Sequence, residues 1–171
     1  TNIYGETYQV LKTFLPQYGV ETTFVDLNYT EAVSRAVRPN TRLFYGEVIA
    51  NPLTMLLDVQ KVADMAHAAG AKLVIDNTYS SPYVVKPLLL GADGVVDSLT
   101  KYINGHFDAI GGVVIADAET IERARFLSTL IGGNLAPFVC GLIRRGTRSF
   151  ELRLEKQNRS AILLAAALEA K

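Results

Sequence analysis

"GADGVVDSLTKYINGHFDAIGGVVIAD" (residues 91–117) sets two short apolar runs on either side of a lysine and a glycine-rich turn. Runs of that length, rich in valine and isoleucine and without polar alternation, mark strands buried on both faces of a parallel sheet. Upstream, "AKLVID" (71–76) repeats the pattern, and "TRLFYGEVI" (41–49) precedes it, stopped by Asn51-Pro52. "VETTFVD" (20–26) reads as a further strand. Helical spacing fills the intervals. Residues 7–18 carry Val10, Leu11, Phe14 and Leu15 on one face and stop at Gly19. Residues 30–38 begin at Thr30 as N-cap and close at Pro39, and Asp58 caps an apolar-periodic segment that ends at Gly70. Further helices are expected over 119–130, over 137–145 and from 150 onward. This alternation predicts an α/β fold, a mainly parallel sheet flanked by helices.

Composition narrows the function. The chain has 171 residues, 49% hydrophobic and 20% charged, enough for one domain with a sizeable core. Lysine plus arginine equals aspartate plus glutamate at 17 each, which argues against nucleic acid or anionic membrane as partner. A single cysteine, Cys140, and two histidines give neither a disulfide framework nor a metal cluster. No apolar run is long enough for a membrane span and no leader opens the sequence, so cytoplasm is the expected compartment. The sequence lacks an initiator methionine, and its helical pattern runs uncapped to Lys171. It reads as a fragment.

In open α/β sheets, ligands bind beyond the carboxyl ends of the strands. Glu47, Asp76 and the group Ser98 to Lys101 are all expected there. A carboxylate after a buried strand needs a cationic or hydrogen-bonding partner, and a protonated pyridine nitrogen is one. Asp76 could equally cap the turn "DNTYSSP". Lysine's ordinary pKa of about 10.4 means that a nucleophilic lysine needs desolvation or a neighbouring cation. Lys101, among hydroxyls and glycines after an apolar run, could be so placed, or could be solvated surface. Strand alternation would point Ser98 and Thr100 to one face, where both hydroxyls could meet one phosphate.

The succession "GEVIANP", "LVIDNTYSSPY" and "DSLTKYINGHFDAIGGVV" resembles the Cys/Met-metabolism family of pyridoxal-phosphate enzymes. That family includes cystathionine synthases and lyases, methionine γ-lyase and O-acetylhomoserine sulfhydrylase. The likeness runs from "NIYGETYQVL" through "RRGTRSFELRLEKQN", with several motifs in family order. It implies the large-domain core of the type I, aspartate aminotransferase-like fold over residues 1–148, with 149–171 leading toward a C-terminal domain. By matching position it implies that Lys101 forms the internal Schiff base and Asp76 pairs with the pyridine nitrogen. It implies that Ser98 and Thr100 contact the cofactor phosphate, that Tyr4 stacks on the ring and shares in proton transfer, and that Asn51 lies near the ring hydroxyl. Glu47 matches the acid that opens the Asn51 motif and is expected among the cofactor-binding residues.

The implied activity is γ- or β-elimination or replacement on a homoserine, cysteine or methionine derivative, by a homo-oligomer built as a dimer of dimers. The spacing "E-x-x-x-NP" is nearer to sulfhydrylases, and "TKYINGH" keeps methionine γ-lyase open. Phe107 departs from the family, which usually has a small residue there, and Ala136 stands where serine is common. The family's upstream phosphate loop, its neighbouring-subunit tyrosine–arginine motif and its substrate-carboxylate arginine have no counterpart in these residues. Without them a fragment with only a structural or assembly role is the alternative. A nucleotide-binding domain would need a glycine-rich loop of the G-x-G-x-x-G or G-x-x-x-x-G-K-[ST] form, and neither occurs.

Overall fold

The computed structural model describes residues 3–170. Asn2, in the motif around Tyr4, and Lys171 lie outside the described residues. Two compact units divide the chain. The first runs to Val96 and includes Val114–Ile121; the second comprises Asp97–Val113 and the residues from Glu122 onward.

In the first unit, the helical segments Gly5–Gln9 (α1), Val10–Phe14 and Leu15–Tyr18 follow one another directly. Gly19 closes them at φ 75°, the left-handed geometry that glycine adopts without a Cβ penalty. Helix α2 (Thr30–Ala36) precedes β1 (Leu43–Glu47). Thr30 is the first helical residue rather than the cap; Tyr29 holds the cap position without a side-chain bond. Helix α3 (Val59–Ala68) starts where expected, the Asp58 carboxylate accepting the Lys61 N–H at 3.1 Å. Its buried Val59, Val62, Ala63 and Ala66 recur at helical spacing and join Leu73, Ile75 and Phe44 in the core. Strand β2 (Lys72–Asp76) lies parallel to β1, Glu47 opposite Asp76. It is followed by the short helices Ser81–Val84 (α4) and Pro87–Leu90.

Strand β3 (Gly94–Ser98) pairs parallel with β2, Asp76 opposite Val96, and the sheet order is β1-β2-β3-β4. Gly94 lies against Ala116, and Gly112 against the Asp97 carbonyl, so β4 (Gly112–Ala116) runs antiparallel to β3. The sheet is therefore mixed. Direct return of the chain through residues 99–111, without a crossover helix, accounts for the antiparallel strand. Residues 20–26, expected as a strand, adopt no regular structure. A groove of about 580 Å³ is lined by Phe24 of this segment, by Phe44 of β1 and by Leu11 and Leu15.

Asp117 caps helix α5 (Ala118–Ile131). Its oxygens accept the Thr120 N–H at 2.8 Å and the Thr120 hydroxyl at 2.9 Å, and Lys72 donates at 3.1 Å. The Thr120 N–H, followed by Lys72, holds this carboxyl down at about 2. A lowered folded-state pKa gives stability that is present above the ordinary aspartate range and lost as pH falls toward about 2. Asp117→Asn therefore lowers the thermal midpoint at neutral pH, with a gap that closes in acid. A gap independent of pH in parallel melting curves contradicts this.

In the second unit, helix α6 (Pro137–Thr147) buries Ile143 and Gly146, and helix α7 (Phe150–Glu169) buries Leu154. Among the described residues no helix is long and apolar enough to cross a membrane, and no group of histidine, cysteine and acidic side chains could hold a metal.

Candidate active site

The first unit gathers four of the expected residues. Glu47, buried at the end of β1, accepts the Tyr4 N–H at 2.6 Å through Oε1 and the Asn51 N–H at 3.1 Å through Oε2. Glu47 thus holds the backbone of the two residues expected at the cofactor ring, with both oxygens committed to that task. Burial raises its pKa, and the two N–H groups oppose the rise.

Asp76 is fixed from two sides. Its Oδ1 accepts the Thr78 N–H at 2.8 Å, and its Oδ2 accepts the Tyr45 hydroxyl at 3.3 Å. The turn-capping role and an oriented carboxylate are therefore both present. Tyr45 was not among the expected residues. Its pKa is raised, first by burial and then by the Asp76 charge, so it remains a hydroxyl donor. The sequence offers only that Tyr45 and Glu47 lie two apart in one expected strand and so share a face; that Glu47 stands opposite Asp76 is set by the strand register. In the full-length protein, Tyr45→Phe removes one of the two donors to Asp76. At about 1 kcal/mol for such a bond, turnover should fall roughly fivefold with the fold intact. Wild-type turnover would show that the bond does not orient Asp76.

The second unit holds the lysine. Strand β3 stops at Ser98, and Leu99–Ile103 form a wide helical turn, so strand alternation does not extend to Thr100. The expectation that alternation sets Ser98 and Thr100 side by side is corrected accordingly. The Thr100 oxygen accepts the Gly111 N–H at 3.0 Å and donates its proton to the Gly111 carbonyl at 3.3 Å, tying the turn to the start of β4. Lys101 departs from helical geometry at φ −91°, ψ −123°. It is exposed, and among the described residues its amine has no hydrogen-bond or ion-pair partner. Phe107 is exposed at φ 56°, a left-handed conformation that favours glycine, which gives a physical reason for a small residue at that position.

Comparison with known proteins supplies the family. The family described as "Cys/Met metabolism PLP-dependent enzyme" matches residues 1–171. The chain belongs to that family. It is 44% identical to an L-methionine gamma-lyase of Porphyromonas gingivalis, over 98% of this chain and 43% of that protein. It is 42% identical to a cystathionine gamma-lyase of Bacillus subtilis, over 98% of this chain and 45% of the other. Among solved structures, cystathionine gamma-lyase from Lactobacillus plantarum complexed with L-serine superposes with a TM-score of 0.84 at 38% identity. That match covers 88% of this chain and 40% of the other. The chain thus spans less than half the length of these three proteins, and the fold expected from the motifs is the family's.

Proposed function

We propose that the full-length protein is a pyridoxal-phosphate-dependent enzyme that eliminates or replaces a γ or β substituent on a sulfur amino acid or a homoserine derivative. The observation that carries this reading is a family match over residues 1–171 in which the motif lysine, Lys101, is an exposed amine at a break in its turn. The donor set suits the cofactor. Asp76, a carboxylate oriented by Tyr45 and Thr78, would face the pyridine nitrogen and keep it protonated. Ser98 and Thr100 would hold the phosphate; Thr100 can turn its long 3.3 Å bond toward a phosphate and still accept from Gly111 at 3.0 Å. Tyr4 would cover the ring and Asn51 would lie near its hydroxyl, both set by Glu47.

When bound, the cofactor supplies an electron sink for a carbanion at the substrate's α carbon. Lys101 would anchor the cofactor through its amine and, once released, take the proton from that carbon and return it. Tyr4 would assist as acid or base. The names of the relatives, a methionine and a cystathionine gamma-lyase, favour elimination over replacement. Residues 1–148 are read as the cofactor-binding core and 149–171 as leading toward the remainder of a homo-oligomeric protein.

The test supplies the full-length protein with pyridoxal phosphate and, in turn, L-methionine, L-cystathionine, and O-acetylhomoserine with sulfide. Release of a 2-oxo acid and ammonia without added thiol establishes elimination. Product only with sulfide establishes replacement. No turnover of any of the three overturns the reading.

A further inference from the structure

The backbone that follows Lys101 is held by an arginine fifty residues away in sequence that none of the roles above uses. Arg153, on the first turns of α7, donates from Nη1 to the Tyr102 carbonyl at 2.8 Å. Its Nη2 reaches the Ile103 carbonyl at 3.1 Å, the Asn104 carbonyl at 3.4 Å and the Gly146 carbonyl at 3.2 Å. Its Nε donates to the Ser149 hydroxyl at 3.1 Å. Three of these acceptors are successive carbonyls at the end of the lysine turn, the groups that a helix end leaves without internal partners. A planar guanidinium with five N–H donors can meet such a row together; a lysine ammonium, a compact point charge, cannot span it. No carboxylate pairs with Arg153 among the described residues, so its charge is met by these carbonyl dipoles.

The packing around this contact leaves little slack. Gly105, at φ 70°, lies against the guanidinium so closely that a Cβ there would overlap Arg153. Gly146 of α6 lies against Asn104, where a Cβ would overlap the Asn104 carbonyl. Asn104 is fully buried and donates to Asp108 at 2.8 Å, and Asp108 in turn pairs with Arg145. The Lys101 carbonyl accepts the Gly105 N–H at 2.8 Å, and the Leu99 carbonyl accepts that of Asn104 at 3.1 Å. Every peptide from Tyr102 to Gly105 is thereby fixed, directly or through one bond, by Arg153. The Lys101 backbone, held at ψ −123°, is the point where this fixed segment begins.

We propose that Arg153 is a positioning residue for Lys101, holding the turn that carries the lysine's amine through the three carbonyls that follow it. The proposal rests on the role given to Lys101 above.

The experiment uses full-length apoprotein and reads the rate and pH profile with which pyridoxal phosphate, trapped by borohydride, is incorporated at Lys101. Arg153→Lys keeps charge and stem but loses the fork, and Arg153→Met keeps only an apolar stem, losing charge and fork. Leu154→Ala, a buried neighbour on the same helix, controls for lost stability alone. Misplacing a reacting group by about 1 Å costs on the order of 10²-fold, so Arg153→Lys should slow incorporation by roughly 10- to 100-fold and displace its pH profile. Leu154→Ala should lower the melting temperature and leave rate and profile unchanged. Arg153→Lys with the wild-type rate and profile overturns the proposal, whatever its melting temperature. If wild-type protein takes no label at Lys101, the underlying assignment of the lysine fails instead, which separates the two claims.

Discussion

Lys101→Ala in the full-length protein lowers turnover by on the order of 10³-fold, within the range for removing a positioned general acid–base group. The amine is asked to anchor the cofactor and to carry the α-proton, and alanine does neither. Folding should survive. The side chain is exposed, and the turn is held by bonds that do not involve it: the Thr100–Gly111 clasp and the Arg153 contacts to the following carbonyls. The variant should therefore melt within a few degrees of wild type while losing its product. Steady-state assay beside a melting curve checks both halves, and a Lys101→Ala protein retaining a tenth of wild-type turnover contradicts the assignment.

Glu47→Ala is expected to harm stability and chemistry together. The carboxylate satisfies two N–H groups, those of Tyr4 and Asn51, at a buried strand end. An orphaned buried donor costs about 1–3 kcal/mol, and because both of these bonds are only part-buried, losing both acceptors should destabilise by roughly 2–4 kcal/mol, below the full sum. Glu47→Gln keeps one acceptor oxygen and turns the other into an NH₂ group facing an N–H, so it should lose about half as much. Because Tyr4 and Asn51 are the residues released, cofactor affinity should fall in the same order, alanine below glutamine below wild type. Urea unfolding and cofactor titration measure the two effects. Wild-type stability in both variants would show that the bonds carry no weight.

How far the sequence could be read depended on whether local chemistry decided the outcome. Asp58, Gly19 and Gly70 mark helix ends by cap and turn geometry alone, and the structure follows them. "AKLVID" is apolar enough that only a buried strand suits it, and Leu73 and Ile75 are fully buried. Residues 20–26 have strand composition, but strand structure depends on cross-strand context as well as on composition. The turn at Leu99–Ile103 was hidden for the opposite reason. Its shape is imposed by Gly111, Gly105 and Arg153, which are distant or inconspicuous in sequence. The motifs singled out Lys101, Asp76 and Glu47 as residue types. What they could not give was who holds whom: Glu47 gripping two backbones, Tyr45 turning Asp76, Thr100 tied to Gly111.

The most direct measurement is borohydride reduction of the full-length protein loaded with pyridoxal phosphate, followed by peptide mapping. The account predicts one pyridoxyl group, on the peptide that contains Lys101, and no label in Lys101→Ala. Label on another lysine, or none on a protein that turns over its substrate, would contradict it.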